Sequence, residues 1–287
     1  MSSFNRRQFL QATGLFAAGA ALSKNVLAAS PKKLKDFGLQ LYTLRDVLPK
    51  DPKGILKQVA EFGYTQAEGY EGPQGMFWGM TPSDFKKYMD DLNLKFVSSH
   101  CDISKDFEKK AADAASIGMK YLICPYKGPQ KGIDDFKRFA DEFNAKGEIC
   151  KKNGIRFAYH NHGYSFQTLD GQIPQDVMMD NTNPDTVDFE MDMYWVITGG
   201  ADINAYLKKY GKRWRLCHVK DRKKGADPKD ADASCILGQG QIDYPTILTA
   251  AKKSGVEYFI VEQERYDNST SLESAKADAA YMKNLSI

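Results

Sequence analysis

Apolar residues recur along this chain in a repeating two-part pattern. A helical stretch ends in glycine, and a short apolar run begins within a residue or two. The junctions are Phe62-Gly63-Tyr64, Ile117-Gly118-Met119, Asn153-Gly154-Ile155, Tyr210-Gly211-Lys212 and Ser254-Gly255-Val256. Glycine just past a helix end takes the left-handed conformation that closes the last turn. The runs that follow predict strands over 65–70, 95–100, 121–125, 155–160, 187–192, 213–219 and 258–262, and 37–44 before the first helix makes eight. Runs apolar on both faces suit a parallel sheet covered on both sides. Helix starts are marked at Asp51-Pro52 and Thr81-Pro82, where a capping side chain precedes a proline suited to the first turn. A long amphipathic helix is predicted over 133–152, and a last one over 272–285.

Eight strand–helix alternations in about 255 residues predict a single (β/α)8 barrel, an α/β fold. A doubly wound open sheet is the competing architecture. It would place a glycine-rich phosphate turn after the first strand, where this chain reads Leu41-Tyr42-Thr43-Leu44-Arg45. The Pro-, Gly- and charge-rich stretch 223–241 predicts a long loop after strand seven, placed to cover a site.

Residues 1–29 stand apart from this pattern. Arg6 and Arg7 are followed by an apolar run from Thr13 to Leu22 and small residues at Ala28-Ala29. That is the layout of a signal peptide, and its apolar run is too short to span a bilayer. Asn5-Arg6-Arg7-Gln8-Phe9-Leu10-Gln11 resembles the twin-arginine export motif. The expected organisation is therefore a leader over 1–29 and one barrel domain over 30–287. The leader implies export of the folded protein to the periplasm by the twin-arginine machinery, with no stable membrane anchor.

Composition narrows the function. The 287 residues are 42% hydrophobic and 27% charged, as in ordinary globular proteins. The net charge of +3 belongs to the leader, which holds Arg6, Arg7 and Lys24 and no acidic residue. A neutral body offers no footprint for nucleic acid. Five cysteines, Cys101, Cys124, Cys150, Cys217 and Cys235, show no CxxC spacing, which excludes zinc-finger and thioredoxin readings.

The chemistry gathers at predicted strand ends. The chain has only four histidines, His100, His160, His162 and His218, and all sit at such ends. Strand alternation places His160 with His162, Glu190 with Asp192, and Glu262 with Glu264 on shared faces. In a barrel, reactive groups collect at the C-terminal strand ends. A ring of His, Asp, His and Glu there would hold a divalent cation at one mouth. Two histidines and two carboxylates suit Mn, Zn, Co or Fe better than Ca. Glu68 and His100 end strands two and three, where polar contacts to a substrate are expected. Lys220, beside His218, is placed to meet an anionic oxygen.

Tyr159-His160-Asn161-His162, Met191-Asp192-Met193-Tyr194-Trp195, His218-Val219-Lys220-Asp221, Val261-Glu262-Gln263-Glu264 and Gly238-Gln239-Gly240-Gln241-Ile242-Asp243 together resemble the xylose isomerase-like barrel superfamily, in its sugar phosphate isomerase/epimerase branch. The resemblance covers nearly all of the body. It implies that a divalent metal is held by His160, Asp192, His218 and Glu262. Ketose epimerases of that family carry glutamates at both the strand-five and strand-eight positions. Here strand five ends in His160, and the Tyr-His-X-His form looks more like the inosose dehydratase-like relatives.

The reading is a metal-dependent enzyme that abstracts a proton beside the carbonyl of a sugar or keto-sugar, an isomerase or epimerase. Glu262 is the first-choice base. His162, Lys220 or Glu264 handles the second proton, and Tyr42, Glu68, His100 and Trp195 line the sugar pocket. The alternative is a lyase or dehydratase that breaks a C–O bond beside a keto group, in a 3-keto-glycoside or an inosose. Metal-assisted phosphodiester hydrolysis, as in endonuclease IV-like members, is disfavoured by the ligand count and the neutral surface. A non-catalytic periplasmic sugar-binding protein is a further alternative.

Overall fold

The computed structural model describes residues 32–227 and 229–287, so the expected leader lies outside the described residues. Eight strands form a closed parallel barrel: β1 (Gly38–Gln40), β2 (Gln66–Tyr70), β3 (Lys95–His100), β4 (Tyr121–Cys124), β5 (Arg156–His160), β6 (Val187–Asp192), β7 (Trp214–Val219) and β8 (Tyr258–Val261). Each pairs with its sequence neighbours, and β1 closes on β8. The helices are α1 (Pro52–Phe62), α2 (Pro82–Asp91), α3 (Phe107–Ser116), α4 (Ile133–Lys152), α5 (Pro174–Asp180), α6 (Met193–Thr198), α7 (Ile203–Tyr210), α8 (Tyr244–Ser254) and α9 (Ser271–Asn284). This is the (β/α)8 fold that the alternation predicts. No helix among the described residues is long and apolar enough to cross a membrane.

Local chemistry sets the element ends. Asp51 and Thr81 cap α1 and α2 through the amides of Gly54 and Asp84, and proline fills the first helical position of each. Gly63 and Gly255 close α1 and α8 at φ 94° and 112°, where a side chain would be strained. One strand is shorter than expected. After Gln40 the chain turns into a 3-10 helix over Leu41–Leu44, because the Gln40 side chain accepts from the Tyr42 amide. That turn carries Tyr42 onto the barrel mouth.

Strand alternation sorts the side chains. Residues such as Phe157, Tyr159, Phe189, Met191 and Cys217 face the helices and join the main core. The lower barrel interior is filled by a small cluster of Tyr121, Ile123, Ala158 and Leu216. Above it the inward positions turn polar: Gln40, Glu68, Ser98, His100, His160, Glu190, Asp192, His218 and Glu262 are all buried. Register aligns them, with His160 opposite Glu190, Asp192 opposite His218, and Gln40 opposite Glu68. The five cysteines are free thiols.

The loop after β7 folds back on the barrel. Asp221–Arg222 pairs antiparallel with Ser234–Cys235, and the Ser234 hydroxyl accepts from the Glu264 and Arg265 amides. Farther out, Asp278 of α9 accepts the Leu237 amide through Oδ1 at 2.8 Å, while its buried Oδ2 has no partner. Burial pushes the Asp278 carboxyl up from its ordinary 3.8 to about 8. Between those two values the folded protein keeps a proton that the unfolded chain has released. Stability from this group is therefore full below pH 4 and is lost as pH rises toward 8. Asp278→Asn keeps the neutral form at every pH. In thermal denaturation we expect it to match the native chain at pH 3.5 and to melt higher at pH 9; a lower melting point at pH 9 would contradict the assignment.

Candidate metal centre

At the barrel mouth three strand ends bring Asp192, His218 and Glu262 into one cluster of ligand atoms, and His160 flanks it through Asp192. His160 Nε2 lies 3.8 Å from Asp192 Oδ2, and His218 Nδ1 lies 3.7 Å from the same oxygen. His218 Nδ1 is also 3.1 Å from Glu262 Oε2. Ligands bonded to one ion at about 2.0–2.2 Å stand roughly 3.0–3.5 Å apart; the His218–Glu262 spacing falls in that range, and the two spacings to Asp192 are a few tenths of an ångström wider. Asp192 divides its carboxylate between two tasks. Oδ1 accepts the Trp195 amide and caps α6, while buried Oδ2 faces the ring with the Lys220 ammonium 3.0 Å away. Asn161 clamps the Asp192 backbone through both its amide and carbonyl, which fixes where that carboxylate starts.

Beneath this ring lies a second polar layer that strand alternation places on the inner face but to which it assigns no role. Glu190 Oε2 receives His160 Nδ1 at 3.0 Å and His100 Nε2 at 2.8 Å. Glu68 Oε1 receives His218 Nε2 at 2.8 Å and the Gln40 amide at 2.7 Å, while its Oε2 accepts from Ser98 Oγ at 2.5 Å. Glu190 keeps a proton on His160 Nδ1, which leaves His160 Nε2 to bind from above. His218 faces carboxylates through both nitrogens, Nε2 on Glu68 and Nδ1 on Glu262, so its Nδ1 would release a proton to bind an ion from above. Both histidines thus serve two layers through opposite nitrogens. His100, His160, Glu190 and His218 also converge closely enough in the lower layer to form a ligand set of their own.

Buried charge dominates the electrostatics. Burial and the Glu68 carboxylate push Glu190 up to about 7. Burial alone would raise Glu68, but His100 and His218 hold it well below the usual carboxylate range. Burial likewise opposes protonated His100, yet Glu68 and Glu190 lift it to about 9. Glu262 stays ionised against its burial because Lys220 and His218 face it.

Lys220 reaches into the ring. Its Nζ is 3.0 Å from Asp192 Oδ2, 2.9 Å from Glu262 Oε2 and 2.7 Å from Glu264 Oε2. Burial would depress this ammonium, but the carboxylates raise it well above its ordinary value. A cation would share the first two oxygens with Lys220, and Glu264 would remain its own partner.

His160 and Glu262 of this ring reach the floor of a cavity of about 330 Å³, while Asp192 and His218 are fully buried and do not line it. His162 and Trp195 stand on one side, with ring centres 5.3 Å apart. Burial and Lys220 hold the His162 imidazole down near 4, so it is neutral at pH 7. Tyr42, His100, Lys220, Glu262 and Glu264 also line this space. Glu68 does not. It is fully buried below the floor, because it lies two residues before the strand end at Tyr70 and so one inward layer down, where it holds His218 and His100. Tyr70 takes the wall position on that strand, and Tyr126, beyond Pro125, supplies a wall that the strand-end pattern does not indicate. Its signal in the sequence is an aromatic directly after the Pro that ends strand four.

The donor set fits a divalent ion. It combines two imidazole nitrogens and two carboxylates, the donor types such an ion takes. Residues 56–285 match the family model for the xylose isomerase-like TIM barrel. The chain belongs to that family. Among solved structures, a sugar phosphate isomerase/epimerase from Parabacteroides distasonis ATCC 8503 is 30% identical, with a TM-score of 0.75 over 86% of this chain and 97% of that one. An inosose dehydratase from Lacticaseibacillus casei is 24% identical over 238 residues, 69% of this chain and 79% of its own length. The fold is shared with the IOLI protein, whose structure has a binding zinc atom, at 16% identity and a TM-score of 0.69 over 85% of this chain and 95% of that one.

The carboxylate beneath His160 makes a distinct prediction. Glu190→Gln removes the charge that orients His160 while preserving volume. Competition titration with a chromophoric chelator should show divalent-metal affinity falling about 10–100-fold, with the circular dichroism spectrum unchanged. Unchanged affinity would mean that Glu190 does not support the ring.

Proposed function

We propose that this protein is a metal-dependent enzyme that removes a proton beside the carbonyl of a sugar or keto-sugar. The observation that carries the reading is the convergence of His160, Asp192, His218 and Glu262 at the floor of a pocket that also holds Lys220 and Glu264. A divalent cation in that ring would supply Lewis acidity to a carbonyl and its neighbouring hydroxyl. Glu262 is the base: it is ionised, lines the cavity and is held in place by His218 and Lys220. Lys220 donates to oxygen as negative charge develops there, the contribution expected of a preorganised buried cation. Glu264, about one-third exposed at its side chain and bonded to Lys220, carries the second proton toward solvent. Neutral His162 offers a hydrogen bond and not a charge, while Trp195 and Tyr42 present faces to sugar C–H groups.

One observation favours elimination as the second step. The strand-five position holds His160, whose Nδ1 is committed to Glu190 and whose Nε2 belongs to the ligand ring. No carboxylate stands there to return a proton from the opposite face, as two-face epimerisation requires. Loss of a hydroxyl or glycosidic oxygen beside the ketone needs a base on one face only. The inosose dehydratase relatives support the same outcome, whereas the isomerase/epimerase structure supports proton return.

Incubation with keto-sugars in D2O, followed by NMR and mass spectrometry, tests the reading. Deuterium should enter at a carbon next to a carbonyl, and EDTA should abolish its entry. Glu262→Gln should slow this exchange about 10²–10⁴-fold. An unsaturated or shorter product marks elimination, and an unchanged mass marks isomerisation. Absence of exchange on every keto-sugar with metal bound would overturn the proposal.

A further inference from the structure

Barrels of this kind usually bind phosphate with backbone amides in the loops after strands seven and eight. This chain has such a cluster of amides after β7, and it is already filled from within. The Asp221 carboxylate accepts Gly238 N at 3.0 Å, Gly240 N at 2.9 Å, Ile242 N at 3.1 Å and Arg222 N at 2.8 Å. Asp221 is fully buried, and any side chain at Gly240 would collide with it. An entering phosphate would have to displace an internal carboxylate that holds four hydrogen bonds. The corresponding groups after β8 are also taken. Glu264 N and Arg265 N donate to Ser234 Oγ, and the start of α9 is closed by the reciprocal Thr270–Glu273 capping box.

The charge of the cavity points the same way. Among the described residues that line it, Lys220 is the only lysine or arginine, and three carboxylates contact it. Glu71 and Asp102 add acidic groups to the wall, with Lys110 already paired to Glu71 at 2.7 Å. Around the ring stand Glu68, Glu190, Asp192, Glu262 and Glu264. A dianionic phosphate entering the pocket would meet these carboxylates and no unpaired lysine or arginine among the described lining residues.

What the mouth does offer is aromatic. Tyr42 and Tyr126 are the exposed large hydrophobic residues of the described chain, and both line this cavity from separate strand ends. Aromatic faces stack on the C–H faces of an uncharged sugar ring.

From these contacts we infer that the ligand is an uncharged sugar or keto-sugar and not a sugar phosphate. The inference rests on the proposed function and specifies its substrate class. The test is calorimetric binding to the purified, metal-loaded protein with matched probes, ketohexoses and their 6-phosphates, at about 0.15 M salt. The uncharged member of a pair should bind at least about tenfold more tightly than its ester, and methyl phosphate should leave it bound. An ester that binds as tightly or more tightly, or methyl phosphate that displaces the sugar, overturns this inference while leaving the proton-abstraction reading intact. If neither member of any pair binds, the sugar reading itself falls, and this inference with it.

Discussion

Buried negative charge is the constraint on which the site depends. Five carboxylates project into or just above the barrel interior, where isolated ions are costly. The fold tolerates them because each is tied to something definite: Glu68 to Gln40, Ser98 and His218; Glu190 to His100 and His160; Asp192 to Trp195 and Lys220; Glu262 to His218 and Lys220; Glu264 to Lys220. Eight parallel strands make this possible. They aim inward side chains at a common centre and cover every backbone polar group with a neighbouring strand.

The two layers act through each other. A histidine ring has two nitrogens, and here each layer uses one of them. Glu190 and Glu68 decide which nitrogen of His160 and His218 carries a proton, and so which lone pair faces the mouth. The upper ring is therefore specified by residues that never reach the pocket. The internal capping of the β7 loop by Asp221 applies the same logic to anions: a fixed carboxylate determines what the surrounding amides can bind.

Much of this was legible in the sequence, for a simple physical reason. Glycine-closed helices followed by apolar strands state the barrel alternation, and two-residue periodicity puts His160 with His162, and Glu190 with Asp192, on shared faces. The predicted strand ends at His160, Asp192 and Val219 match to the residue, because the apolar runs stop there. Glu68 is expected on the pocket wall, but it sits two residues before the predicted end of its strand, and that layer lies below the floor. The first strand was overextended because Leu41–Leu44 is apolar enough for a strand while Gln40 turns it into a 3-10 helix. Tyr126 and the work of Glu190 depend on which groups meet across the barrel, and spacing along one strand carries no record of that.

The most direct test is a crystal structure of the protein with cobalt or manganese, with the ion located by anomalous scattering. The account predicts one ion in the upper ring, about 2.0–2.3 Å from His160 Nε2, Asp192 Oδ2, His218 Nδ1 and Glu262 Oε2. An ion in the lower layer instead, bound to His160 Nδ1, His218 Nε2, His100 and Glu190, would contradict it, because the histidine nitrogens would then be used in the opposite sense.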